Sequence, residues 1–257
     1  MLQHLFTPEK FLPAGVGFAL FGPGHLVWLA AMALMVAAMI WGYGRLRPAG
    51  RLRMQRCIAV GLLCAELLRD LYLIAAGGWM WEYLPLHMCA FTMYLMVLWA
   101  FWPSQWCGNV LYGLGLIGAL CALLFCNWAN QPLIHFQTIY SFVFHGLLVG
   151  YIGMLLAAGE LRPTGRGFLH CAAFLCVTVP ATGLVNWLLP QCNFFFTNGG
   201  SPGSPLAVLV ALFGRPWWLA AYAALAALVL ALEFLPWAAA DRRRGERRLR
   251  HYGLSWK

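Results

Sequence analysis

The chain has 257 residues, of which 62% are hydrophobic and only 10% charged, against roughly a quarter charged in an ordinary soluble domain. With a mean hydropathy of +0.72, this composition excludes a soluble globular enzyme, a disordered chain and a nucleic-acid-binding domain, so the formal net charge of +9 reads as a membrane topology signal instead. The apolar stretches are long and unbroken rather than alternating, which argues against an outer-membrane barrel and for an all-α, polytopic membrane helix bundle.

Residues 1–23 read as an amphipathic, interfacial lead-in that ends at the turn Gly22-Pro23-Gly24. Glu9, Lys10 and Pro13 precede any long apolar run, so no cleavable signal peptide is expected. At about 20 residues per span, the segment 24–237 divides into seven transmembrane helices, near 24–44, 57–76, 84–102, 109–127, 137–158, 167–189 and 216–237. Pro48 with its flanking arginines, Gly77-Gly78, Pro103, the stretch 127–132, Arg162-Pro163 and the Gly/Ser/Pro/Asn-rich stretch 190–205 mark the breaks. A basic tail, 238–257, follows.

Most of the 17 basic residues fall in three places: Arg45, Arg47, Arg51, Arg53 and Arg56 after the first span, Arg162 and Arg166 after the fifth, and the tail. With an odd number of spans all three lie on one side. The N-terminus is then outside and the C-terminus cytoplasmic, in the cell (inner) membrane, with the tail placed to touch anionic lipid head groups. The nine cysteines lie mostly inside apolar segments, where the simplest reading is a small core hydrophobe rather than a disulfide framework.

An ionisable side chain inside a span costs roughly 2.5–3.5 kcal/mol, so those present need partners or a purpose. Glu66, Arg69 and Asp70 in the second span share one helix face, as a buried ion cluster that fixes packing or as part of a site. In the third span, Pro85 suits a first helical turn. That puts His87 and Cys89 on a regular helix about 200° apart, so that only one of them faces a given pocket. The fifth span carries Thr138, Ser141 and His145; the sixth carries Thr178, Thr182 and Asn186 at four-residue steps, with Asn193 just beyond. His25 and His135 begin the first and fifth spans at the same level. Packing contacts would be spread over both leaflets. Concentration in the outer half argues for a polar cavity there.

A Cys–His pair in such a cavity can run acyl transfer through a thioester. Cys89 is the candidate nucleophile and His145 the base, with Asp70 orienting the imidazole and Asn186 or Asn193 donating to an oxyanion. His25, Glu66, Arg69, Asp70, His87, Asn186 and Asn193 are the candidate substrate-binding residues. No HxxxH or HExxH spacing is present, so neither a metal site nor a soluble cofactor is expected. Two other functions compete: a small-solute or proton-coupled transporter with Glu66, Arg69, Asp70 and His145 as its relay, and a lipid-binding protein without turnover.

The run Leu84-Pro-Leu-His-Met-Cys89, His145 in the fifth span, the run Asn186-Trp-Leu-Leu-Pro-Gln-Cys-Asn193-Phe-Phe-Phe and the early Phe-Gly-Pro-Gly-His25-Leu resemble the bacterial branch of the transmembrane protein 164 family, over essentially the whole chain. That resemblance implies a seven-span membrane acyltransferase whose eukaryotic relatives remodel ether phospholipids by moving a fatty acyl chain with a Cys nucleophile and a His. Carried to this sequence it implies Cys89 as nucleophile, His145 as the histidine, and a membrane phospholipid or lysophospholipid as substrate.

Overall fold

In a computed structural model, which describes residues 4–200 and 203–251, helix ends fall where proline withholds a backbone donor or glycine allows a turn. Helices α1 (Pro23–Arg45) and α2 (Pro48–Ala75) both begin on a proline, and α2 stops before Gly77, whose φ is +65°. After the 3-10 turn Trp81–Tyr83 comes α3 (Met88–Phe101). Ser104 then caps α4 (Gln105–Val110), its Oγ accepting from the Cys107 N–H. A π-helical segment, Leu111–Leu116, joins α4 to α5 (Ile117–Leu124). Helices α6 (Phe136–Ala157), α7 (Gly167–Leu188), α8 (Pro205–Phe213) and α9 (Trp218–His251) complete the chain, α7 and α9 carrying Pro180 and Pro236 inside them. Among the described residues there is no β-strand.

Among the described residues, six helical stretches are long and apolar enough to cross a membrane: α1, Trp81–Phe101, Gln105–Leu124, α6, α7 and Trp218–Arg243. Helix α2 is longer than most of them at 28 residues, but Glu66, Arg69 and Asp70 set it apart. Helix α8 was not expected. Its nine residues are apolar and unburied, too short to span, and lie against α9.

Helix α1 lies along α6. A Cβ at Gly146 would stand 2.7 Å from the Met32 sulfur, so a glycine there lets the two helices close up. The π-helical segment touches α3, α6, α7 and α9. At Gly115 a Cβ would come within 2.8 Å of the Thr92 methyl on α3.

The two ends of the bundle differ. At the arginine-rich end, Glu160 accepts from Tyr43 (2.5 Å), Gln55 (2.7 Å) and Arg51 (3.2 Å), while the Asn109 amide reaches Thr164 (3.1 Å) and His170 (2.9 Å). At the arginine-poor end the lead-in folds over the loops. Phe18 N–H donates to Ala129 O (2.8 Å) and Phe136 N–H to Leu5 O (2.9 Å). Glu9 accepts from Tyr83 (3.0 Å), Asn130 (2.8 Å) and Gln131 (2.9 Å). The first three residues of the lead-in, and the tail side chains from Arg244 on that were expected to meet anionic lipid, lie outside the described residues.

Candidate functional site

The sequence places Pro85 in the first turn of a helix. The structure instead starts α3 at Met88, with His87 as the N-cap residue in extended conformation (φ −75°, ψ 158°). The 200° separation expected for a regular helix therefore does not apply to His87 and Cys89, because His87 precedes the helix. His87, Cys89 and His145 are each enclosed by protein and yet keep part of their surface accessible. His87 lies within electrostatic reach of His145, Cys89 of Cys121 on α5, and Cys121 of Tyr222 on α9, so helices α3, α5, α6 and α9 meet around these side chains.

Buried polar groups in folded proteins are nearly always paired; here Trp128 Nε1, Gln137 Oε1 and Glu233 Oε2 are not. The ring nitrogens of His87 and the sulfur of Cys89 make no hydrogen bond to any described residue, and none joins Cys89 to His145. His87 is held instead by the edges of Phe194 (5.1 Å) and Phe196 (5.4 Å). His145 donates from Nδ1 to the Ser141 carbonyl (2.7 Å) and stacks on Trp128 (5.0 Å, 17°). That bond sets the tautomer of the neutral ring and leaves a lone pair on Nε2. Trp128 Nε1 and Gln137 Oε1 are buried without a partner. Gln137, Ser141 and His145 recur every four residues, on one face of α6.

The first turn of α3 adds main-chain donors. Ala90 N–H (3.0 Å) and Phe91 N–H (3.2 Å) both bond the His87 carbonyl, whereas the Met88 and Cys89 amides are free, as the first amides of a helix are. The helix start at Met88 rather than Pro85 puts these two amides on the residue that carries the Cys89 sulfur and on the one before it.

The remaining expected residues hold the frame. Asn186 donates to Phe194 O (3.0 Å) and Thr197 Oγ1 (2.8 Å) and accepts from Phe194 N–H (2.9 Å). Asn193 donates to Gly199 O (2.8 Å) and accepts from Asn198 N–H (2.8 Å). Together they fix the Phe194–Phe196 turn over His87. Phe195 and Phe196 both have φ of 54°, the left-handed region that bulky residues avoid. Such strain gathers at functional sites.

His25 accepts the Phe21 N–H at Nδ1 (2.9 Å) and donates from Nε2 to Leu123 O (2.9 Å). Cys126 lies 3.9 Å from that Nε2. Both ring nitrogens of His25 are taken, so it has no free lone pair to offer Cys126. His135 donates from Nε2 to Thr7 O (2.8 Å).

Arg69 Nη2 bridges Glu66 (2.8 Å) and Asp70 (2.7 Å), and Tyr140 donates to the other Glu66 oxygen. The guanidinium lies over the rings of Tyr83 and Tyr140, 5.6 and 5.2 Å from their centroids. This cluster clasps α2 to α6. Asp70 is taken up by Arg69, and the partner of His145 Nδ1 is a backbone carbonyl.

Fold and site together define a multi-pass helical membrane protein with an enclosed interior lined by histidine and cysteine. Among the described residues no three His, Cys, Asp or Glu side chains are grouped to hold a metal ion. The model of the TMEM164 family matches residues 20–234, and the chain belongs to that family. No curated protein and no solved structure matches it.

Proposed function

We propose that this protein is a membrane lipid acyltransferase, or lipid-ester hydrolase, that works through an acyl-enzyme on Cys89. Counting α2, seven helices cross the cell membrane with the N-terminus outside, which places the arginine-rich end in the cytosol and the enclosed interior in the outer half. The observation that carries the reading is the state of His145: Nδ1 is occupied by Ser141 O, so Nε2 is the ring atom left to take a proton.

The chemistry runs in two balanced steps. Nε2 of His145 accepts the Cys89 thiol proton, and the sulfur adds to the ester carbonyl carbon of a phospholipid. The oxyanion is met by the free amides of Met88 and Cys89. The ester C–O bond then breaks, the departing lysolipid oxygen takes the proton from Nε2, and a thioester remains. A lysolipid hydroxyl or water next gives its proton to Nε2, attacks the thioester carbon and releases the sulfur, which recovers the proton. A base that meets its nucleophile only through the bound substrate is common in resting enzymes.

The test uses full-length protein in nanodiscs with a labelled phospholipid donor and a lysolipid acceptor. Cys89→Ala should abolish transfer and the hydroxylamine-sensitive acyl adduct on the intact protein; His145→Ala should cost about 10²–10⁴-fold. Transfer that survives both substitutions overturns the proposal.

A further inference from the structure

Helix α2 is tied to its neighbours at two levels and stands away from α6 between them. At the arginine-poor level the tie is Tyr140 to Glu66; at the other it is Gln55 to Glu160 (2.7 Å), just past the end of α6. An apolar groove of about 540 Å³ fills this gap and continues past Tyr140 to Phe136, walled by Cys57, Gly61 and Ala65 of α2 and by Phe136, Val143 and Leu147 of α6. The residues facing it keep it open: a Cβ built on Gly61 meets nothing within 4 Å. The Tyr140 hydroxyl in its lining is already spent on Glu66.

The groove is separate from the His145 interior. The Phe144 ring lines the groove and meets the His145 ring edge-on at 5.3 Å, standing between the two spaces. Leu5 and Phe6 of the lead-in close over the arginine-poor end. Phe136 N–H holds Leu5 O (2.9 Å), Tyr72 donates to Phe6 O, and the Phe6 ring stacks on Phe136 at 6.3 Å.

Size and the strap decide the occupant. From Phe136 to Leu147 the α6 wall is about 17 Å long at 1.5 Å per residue, close to the roughly 15 Å of hydrocarbon in one leaflet. A helix from a second copy, about 10–12 Å across with its side chains, would run into Leu5 and Phe6 on its way to the surface. A single hydrocarbon chain slides beneath them and lets its head group leave beside the strap. We propose that this groove is a binding site for one acyl chain of a bilayer lipid in the leaflet at the arginine-poor end, independent of the reaction at Cys89.

The experiment is photolabelling of the full chain in nanodiscs with a phosphatidylcholine carrying a mid-chain diazirine, mapped by peptide mass spectrometry. Labels are expected on residues 57–65 and 139–147. Gly61→Phe, and the milder Gly61→Leu, fill the open space and should reduce those labels at least tenfold while labels on α9 stay unchanged. Phe6→Ala should reduce them several-fold. Cys89→Ala should leave them intact even where it abolishes transfer, so this inference stands or falls apart from the enzymatic one. Equal groove labelling in wild type and both Gly61 variants overturns it. So does Cys57-to-Cys57 crosslinking between copies that excludes the lipid label.

Discussion

Polar side chains occur at both ends of the bundle, and they behave differently. At the arginine-rich end, Glu160 collects Tyr43, Gln55 and Arg51, and Asn109 collects Thr164 and His170. In the interior nearer the other end, among the described residues, His87 and Cys89 have no hydrogen-bond partner, His145 bonds through one ring nitrogen, and Trp128 and Gln137 each bury an unpaired atom, as Glu233 does on α9. The first arrangement is what polar groups do when they hold helices together. The second leaves donors and acceptors for something that is not protein. The lesson is that position in the membrane does not separate structural from chemical residues; the bookkeeping of their hydrogen bonds does.

The sharpest way to break this contrast is kinetic. His145→Asn should lower turnover by about 10²–10⁴-fold and leave the thermal unfolding midpoint close to wild type, because the ring's one bond is to a local carbonyl. At the paired end the expectation reverses. Glu160→Ala removes the shared acceptor of Tyr43, Gln55 and Arg51 and should cost about 2 kcal/mol, whereas His87→Ala strands no partner and should cost less than half as much. Equal destabilisation by the two, measured by thermal unfolding in detergent, would end the distinction.

Asn186→Ala removes three bonds to the Phe194–Thr197 turn and should cost about 2 kcal/mol. Faster protease cutting between residues 190 and 200 is the readout. Trp128→Phe keeps the stacking face against His145 and deletes a buried unpaired donor, so stability should hold or rise by about 1 kcal/mol. A fall in transfer with no loss of stability would give the indole N–H a part in the reaction.

The smallest effect concerns the lead-in. Burial lowers His135 below its ordinary 6.5, so the folded cap favours the neutral ring. The unfolded segment takes up the proton first as the pH falls. Stability is therefore full above 6.5 and declines below it toward the lowered value. Proteolysis of residues 4–22 should be faster near pH 5.5 than near pH 7.5, and His135→Asn should remove the difference.

Much of the helical frame was legible because proline and arginine punctuate long apolar runs: Pro23 opens α1, and Arg162-Pro163 follows α6. The start of α3 was not. Hydropathy sees Leu84, Leu86 and Met88 as one run and does not register that 84–87 bend without forming helix until His87 caps it. Glu160 was missed because its partners Tyr43 and Gln55 lie more than a hundred residues away in the chain. His25, Asn186 and Asn193 stood out by depth and by the family resemblance, neither of which tells which way an amide or imidazole points; their bonds run to nearby backbone and loop groups. For Cys89 and His145 the residue types were readable, but the free amides and the tautomer depend on a helix start and a carbonyl that only three dimensions supply.

The stretch Leu111–Leu116 winds one residue wider per turn than the helices on either side. Forcing the same six residues into ordinary α-helix, with none removed, would swing all that follows by about 100°. Cys121 could not then keep its bearing toward Cys89 while Asn109 kept its grip on Thr164 and His170. The rod thus acts as a gear with a set tooth count, meshing the Asn109 latch at one end with the Cys121 face at the other.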